Sequence, residues 1–180
     1  MTDRFRQIGG QSPLLDIMQS LAAQLEEAVE LPVYVAMRYW HPFIKDIVLQ
    51  MLTDGIDHII AIPLLPHYSI LTSGQYRSDL TNVIALAADG IILDFVEHWH
   101  DCDAFINAIA ESVKQQLQNQ QRPVIFAARN LPTVILEHDD PYPQQVINTA
   151  QAIVKRLNLP DAQWHFAYHS AGEPANQEWL

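Results

Sequence analysis

The fold class of this chain follows from a short, almost continuously apolar run, HIIAIPLL (58–65). Three runs of the same kind come later in the chain: IILDFVE (91–97), VIFAA (124–128) and WHFAYH (164–169). A fifth run, LPVYVAM (31–37), precedes them. Such runs are typical of parallel strands that are buried on both faces. We therefore predict an α/β fold with a doubly wound parallel sheet.

Five helices are predicted around these strands. They cover 13–29, the residues from Pro42 to Gly55, a stretch that ends near Asp89, 102–120 and 143–158. The start of the first is well defined, because Ser12 is a preferred N-cap and Pro13 suits the first helical position. The order of elements begins with a helix and stops at a strand, whereas doubly wound domains usually begin with a strand. We therefore expect both ends of the domain to be cut.

Composition restricts the function classes. The 180 residues include 10 Lys and Arg against 21 Asp and Glu, a net charge of −11. This acidity argues against binding to nucleic acid or to an anionic membrane surface, because both need clustered cations. A single cysteine, Cys102, excludes an intramolecular disulfide and a cysteine-ligated cluster. The chain shows no signal sequence and no apolar run near the ~20 residues of a membrane span. We expect a soluble protein of the cytoplasm.

Polar and aromatic side chains gather where the predicted strands end. In open α/β sheets, ligands bind beyond the carboxyl ends of the strands. Five of the eight histidines come at these ends, namely His41, His67, His98, His100 and His169. They are accompanied by Arg38, Tyr39, Trp40, Tyr68, Ser69, Thr72, Trp99, Arg129, Asn130 and Ser170. Such an edge suits a flat, partly apolar ligand with polar rims, or a metal ion.

Several of these residues have a plain structural interpretation beside the functional one. His67 is either a capped loop histidine or part of a site. His98 and His100 have a spacing that is seen in metal sites. The sequence identifies no further ligand beside them, so we predict no bound metal. The acidic run 137–140 is interpreted as a solvated loop before a helix.

The sequence motifs occur in the order of those of a known family. The chain carries DRF (3–5) with IGGQSPL (8–14), AMRYWHP (36–42), PLLPHYS (63–69), EHWH (97–100), DPYP (140–143), and YHSAG (168–172) with WL (179–180). These resemble, in order, the D-R-Y…I-G-G-x-S-P-L, M-R-Y-W-x-P, P-L-x-P-x-Y-S, E-x-W-Y/H, G-D-P-Y-P and Y/W-Q-S-x-G…W-L segments of the ferrochelatases. Members of that family are lyases that insert Fe²⁺ into a porphyrin in haem biosynthesis.

The resemblance implies a fold of two similar Rossmann-like lobes with the porphyrin in the cleft between them. It implies that residues 1–120 form most of the first lobe and residues 121–180 the beginning of the second. Fe²⁺ and the porphyrin are then substrates, and no tightly bound cofactor is expected. The porphyrin contacts implied by the same resemblance are Arg4, Phe5, Ser12 and His100, with His67 and His169 as further cleft residues.

The catalytic position departs from the family pattern. The family uses a histidine in S-A-H-x-L-P and a downstream glutamate to remove the pyrrole protons and guide the iron. The corresponding stretch here is AARNLP (127–132), with Arg129 in place of the histidine, and the glutamate would lie beyond Leu180. A guanidinium is always protonated and cannot ligate iron. The resemblance thus implies a ferrochelatase-type chain that is impaired on its own.

Two other interpretations stay open. The chain is either a catalytically silent porphyrin- or haem-binding protein that uses the retained contacts, or an inactive fragment of a longer product. A cut sheet exposes an edge strand, so self-association is a further expectation.

Overall fold

The structure is a computed structural model that describes residues 6–7, 9–10, 12–87, 89–118, 120–170 and 178–180. Its helices are α1 (Leu14–Val29), α2 (Ile44–Thr53), α3 (Ser73–Ala87), α4 (Asp103–Leu117) and α5 (Tyr142–Leu157). Its strands are β1 (His58–Ala61), β2 (Ile92–Phe95), β3 (Val124–Arg129) and β4 (Trp164–His169). Two 3₁₀ helices cover Thr133–His138 and Asp161–Gln163. The predicted α/β class is confirmed, and the five predicted helices are present with ends that differ by a few residues.

The strands pair in parallel, as predicted, in two separate two-stranded sheets. β1 pairs with β2, and β3 pairs with β4. The register places Ala61 opposite Phe95 at the carboxyl end of the first pair. In the second pair it places Arg129 opposite His169. Because parallel partners end at the same edge, the segments that follow them start close together.

The strand predicted over 31–37 is wrong. In the described part of the chain, this stretch has a single isolated bridge, from Met37 to Phe43. Pro32 has no N–H to donate, and the N–H of Val33 donates to the Glu26 carboxylate at 3.1 Å. An apolar, β-branched run becomes a strand only when a neighbouring strand accepts its hydrogen bonds.

The described residues form two compact units. One contains Met1–Asp57 and Asp79–Ile91, and the other contains His58–Ser78 and Ile92–Leu180. In the second unit, two apolar clusters surround α5. One contains Leu131, Ile135, Tyr142 and Val146, and the other contains Ile106, Ala110 and Ile153. The buried apolar residues of α5 therefore recur at helical spacing, as expected for a helix that packs one side against the core.

A buried carboxylate joins the loop after β1 to the start of α5. Asp140 is only 7% exposed. Its Oδ2 accepts hydrogen bonds from the Ser69 hydroxyl at 2.9 Å and from the Ile70 N–H at 2.8 Å. Its Oδ1 accepts one from the Tyr142 N–H at 3.0 Å, in the first turn of the helix. The interpretation of 137–140 as a solvated loop is therefore wrong for Asp140, because donors from a distant loop replace water around its carboxylate.

We expect Asp140→Asn to lower the free energy of unfolding by about 2 kcal/mol. The amide nitrogen of asparagine is a hydrogen-bond donor, and it would replace a carboxylate oxygen that accepts hydrogen bonds from its neighbours. The measurement is urea unfolding followed by tryptophan fluorescence. The matched control is Asp139→Asn, which makes the same change at the exposed neighbouring residue. The backbone φ at this position is 51°, which asparagine tolerates. Equal losses in the two variants would contradict the role given to Asp140.

Candidate functional site

Two histidines from distant parts of the sequence meet beyond the first strand pair. His67 follows β1 by six residues, and His100 follows β2 by five. Their ring centroids are 5.9 Å apart. The parallel pairing of β1 and β2 accounts for this, because it directs both following loops to one edge.

The proton position on His67 follows from its hydrogen bonds. The Nε2 of His67 lies 2.9 Å from the Thr149 hydroxyl oxygen. The Thr149 hydroxyl has one proton, which faces the backbone carbonyl oxygens of His100 at 3.0 Å and Gln145 at 3.1 Å. Since that proton goes to a carbonyl, Thr149 accepts from an N–H at Nε2 of His67. Burial, together with the charge of protonated His100, lowers the pKa of His67 to about 4, so this imidazole is neutral near pH 7.

His100 is buried beside a second, more exposed histidine. The rings of His98 and His100 are 4.9 Å apart. Burial lowers the pKa of His100, the Asp101 carboxylate opposes this shift, and His98 adds to it. The Nδ1 atom of His100 is buried and has no hydrogen-bond partner among the described residues.

An open cavity of about 450 Å³ adjoins this cluster and is largely exposed to solvent. Its lining residues are Tyr68, Ile70, Glu97, His98, His138, Asp139, Asp140, Pro141 and Gln145. Three of these are carboxylates, of which Glu97 is paired with Arg77. Because Asp140 is already satisfied by three donors, the preference of this cavity for a cation over an anionic group depends mainly on Asp139.

Arg129 and His169 lie side by side at the carboxyl end of the second strand pair. They are register partners on β3 and β4, and both are exposed. The Tyr142 hydroxyl donates to the Arg129 carbonyl oxygen at 2.7 Å. Burial raises the pKa of Tyr142 to about 12, so this hydroxyl remains a donor. Since the ring of Tyr142 is 6.1 Å from that of His67, Tyr142 connects the two strand ends.

The remaining predicted contacts lie elsewhere in the chain. Ser12 belongs to the unit that contains Met1–Asp57. Its hydroxyl oxygen accepts a hydrogen bond from the Leu14 N–H at 3.2 Å, at the start of α1. Arg4 and Phe5 lie outside the described residues.

A family model described as Ferrochelatase matches residues 1–180. The chain belongs to the ferrochelatase family. It is 34% identical to the ferrochelatase of Herpetosiphon aurantiacus, with 100% of this chain and 62% of that protein aligned. The ferrochelatase of Deinococcus radiodurans is also 34% identical, over 100% of this chain and 60% of its own length. That of Aquifex aeolicus is 35% identical, over 91% and 53%. The chain thus spans little more than half of these relatives, and the resemblance drawn from its motifs is confirmed.

The ferrochelatase motifs explain some of the site and leave other parts unexplained. The DPYP stretch contains both Asp140 and Tyr142, so the motif marks the position where the carboxylate is buried. Nothing local marks Thr149, because its partner His67 is 82 residues away in sequence. Among the described residues of this ferrochelatase-family chain, no helix has both the length and the apolar character to cross a membrane.

We expect the stability of this chain to fall as the pH decreases from 6.5 to about 4. The folded state keeps His67 neutral down to a pKa of about 4, whereas the unfolded chain binds the proton near 6.5, so acid favours unfolding in this window. His67→Gln removes this contribution and should flatten the slope of unfolding free energy against pH. Urea unfolding at a series of pH values measures it.

The control for the pH experiment is His165→Gln, which replaces an exposed histidine of β4. In this variant, the slope of unfolding free energy against pH should match that of the unsubstituted chain. A slope between pH 6.5 and 4 that His67→Gln leaves unchanged would show that His67 does not titrate as its burial requires.

Proposed function

We propose that this chain is the porphyrin-binding part of a ferrochelatase of haem biosynthesis and that it inserts Fe²⁺ poorly by itself. The proposal of poor Fe²⁺ insertion is based on Arg129. Metal insertion requires a base that removes the pyrrole N–H protons, and the family pattern places that base at this position. A guanidinium has no lone pair to accept a proton at any physiological pH.

Two nearby imidazoles are candidates for replacing the missing base, and their surroundings differ. His67 is a weak base, since burial lowers its pKa to about 4, and Thr149 occupies its Nε2. His169 is exposed and directly opposite Arg129 in the β3–β4 register. Proton transfer is less effective when the pKa of the base lies far below the working pH, which disfavours His67. Because His169 is exposed and lies beside Arg129, any residual metal insertion is assigned to His169.

The proposed porphyrin contacts have suitable chemistry. A cation at Arg4 and the hydroxyl of Ser12 suit the carboxylates of porphyrin side chains. The Ser12 oxygen accepts from the Leu14 N–H, and a hydroxyl that accepts a hydrogen bond can donate one at the same time. Phe5 offers an aromatic face to the macrocycle, and His100 offers an imidazole at the strand edge.

Arg129 also favours a second candidate function, a catalytically silent porphyrin- or haem-binding protein. The binding contacts do not depend on a base at position 129, so binding can persist where metal insertion is lost. The two functions differ in one observable, the rate at which metalloporphyrin forms in the presence of the chain.

An anaerobic absorbance titration of porphyrin with the purified chain, followed by Fe²⁺ or Zn²⁺, tests the proposal. We expect a shift of the Soret band on binding and metalloporphyrin formation only slightly above the protein-free control. If formation is measurably faster than that control, His169→Ala should abolish the excess and leave the Soret shift intact. Absence of any Soret shift would contradict porphyrin binding, and a rate equal to the protein-free control would favour the silent binder.

The variant Arg129→His restores the residue of the family pattern. We expect it to raise the metal-insertion rate by about tenfold or more, below the ~10²–10⁴ that a fully positioned base contributes. The matched control is Arg122→His, which makes the same exchange at an exposed position before β3. An Arg129→His chain that binds porphyrin as before and gains no rate would show that residue 129 does not limit metal insertion.

A further inference from the structure

Three metal-binding groups lie within four consecutive residues after β2. They belong to His98, His100 and Asp101, and one ligand atom from each lies within 4.8 Å of the other two. The Oδ1 of Asp101 is 3.9 Å from Nδ1 of His98 and 4.0 Å from Nδ1 of His100. These distances are too long for hydrogen bonds. The Asp101 carboxylate therefore lies near both imidazoles without a hydrogen bond to either of these nitrogens.

The buried member of the cluster lacks a partner. The His100 side chain is 8% exposed, and its Nδ1 is a buried polar atom without a hydrogen-bond partner among the described residues. Buried polar atoms are almost always paired, and an exception calls for an explanation, of which a bound ion is one. Here the unpaired Nδ1 lies 4.0 Å from Oδ1 of Asp101, which is itself 3.9 Å from Nδ1 of His98.

We propose that His98, His100 and Asp101 bind one divalent transition-metal ion of the Zn²⁺, Co²⁺ or Fe²⁺ type. Imidazole nitrogen suits these ions, whereas Mg²⁺ and Ca²⁺ prefer sites built from oxygen atoms alone. Two imidazoles and one carboxylate leave at least one coordination position open. The ion is therefore held by few ligands and can exchange.

The geometry requires only a small closure. With metal–ligand bonds of about 2.0–2.1 Å, the ligands of a tetrahedral ion are about 3.4 Å apart. Oδ1 of Asp101 has to approach each imidazole by about half an ångström, and the two imidazole nitrogens, which lie within 4.8 Å of each other, have to approach by at most about 1.4 Å. Asp101 and His98 are 72% and 44% exposed, so both can rotate inward. His100 is the buried anchor that fixes where they converge.

The surroundings favour a cation. His98 also lines the cavity described above, together with the carboxylates of Asp139 and Asp140. A negatively lined cavity raises the local concentration of cations, and His98 stands where that cavity meets the cluster. The site uses neither Arg129 nor His169, and it goes beyond the proposed function because it requires no porphyrin.

Calorimetric titration of the tag-free chain with Zn²⁺, in the absence of porphyrin, tests the site. We expect one ion per chain, and a loss of at least about tenfold in affinity in both His98→Ala and Asp101→Asn, since even outer-shell partners of a metal contribute ~10–100-fold. Both substituted residues are exposed, so neither change removes core packing. The visible spectrum of added Co²⁺ gives a second readout and should lose its intensity in the same variants.

The matched control is His58→Ala. His58 is 47% exposed, and its Nε2 lies 2.7 Å from the Asp94 carboxylate. It is a surface imidazole beside an acid, and the described residues add no third ligand to that pair. Its loss should leave the Zn²⁺ affinity unchanged. Equal losses in His58→Ala and His98→Ala, or no loss in His98→Ala and Asp101→Asn, would overturn the proposal. Porphyrin binding is scored separately by the Soret shift, so failure of one proposal does not imply failure of the other.

Discussion

The arrangement of the second unit depends on the burial of one carboxylate. An ionised acid in a low-dielectric interior is tolerated only when its oxygens are hydrogen-bonded, and Asp140 meets this condition with donors from Ser69, Ile70 and Tyr142. Those donors come from two segments about 70 residues apart. These hydrogen bonds hold the loop after β1 against the start of α5, while the parallel pairing of β1 and β2 brings the two histidine-bearing loops to one edge.

Once this contact is made, α5 acts as the support for the histidine loop. Gln145 accepts from the Tyr68 N–H at 2.7 Å, and Thr149, one turn further, receives His67. The next apolar positions, Val146 and Ile153, face the core. One helix thus presents a polar stripe that orients a loop and an apolar stripe that stabilises the fold. Because this contact buries His67, the pKa of His67 is lowered to about 4 and the imidazole is a weak base.

The two strand ends of this unit consequently have different chemistry. At the first, imidazoles lie beside carboxylates and burial lowers the pKa values of His67 and His100, an environment that suits cations. At the second, Arg129 keeps a permanent positive charge beside His169. Binding a ligand requires side chains of suitable charge and polarity, whereas moving its protons requires a side chain that can accept a proton at the working pH. In the function proposed above, the chain keeps its ligand contacts and lacks the base of the family pattern.

The sequence by itself determined the helices, the parallel strands of the second unit and the family, and the role given to Arg129 stays a prediction. These depend on local patterning, on motif order or on the intrinsic chemistry of a guanidinium. Only the tertiary structure decided that 31–37 has no strand partner among the described residues, that Asp140 is buried, that Thr149 is hydrogen-bonded to His67 and that Nδ1 of His100 has no hydrogen-bond partner in the described part of the chain. The physical reason is that burial, hydrogen-bond partners and pKa shifts arise from contacts between residues far apart in the chain, and no local pattern records which distant groups will meet.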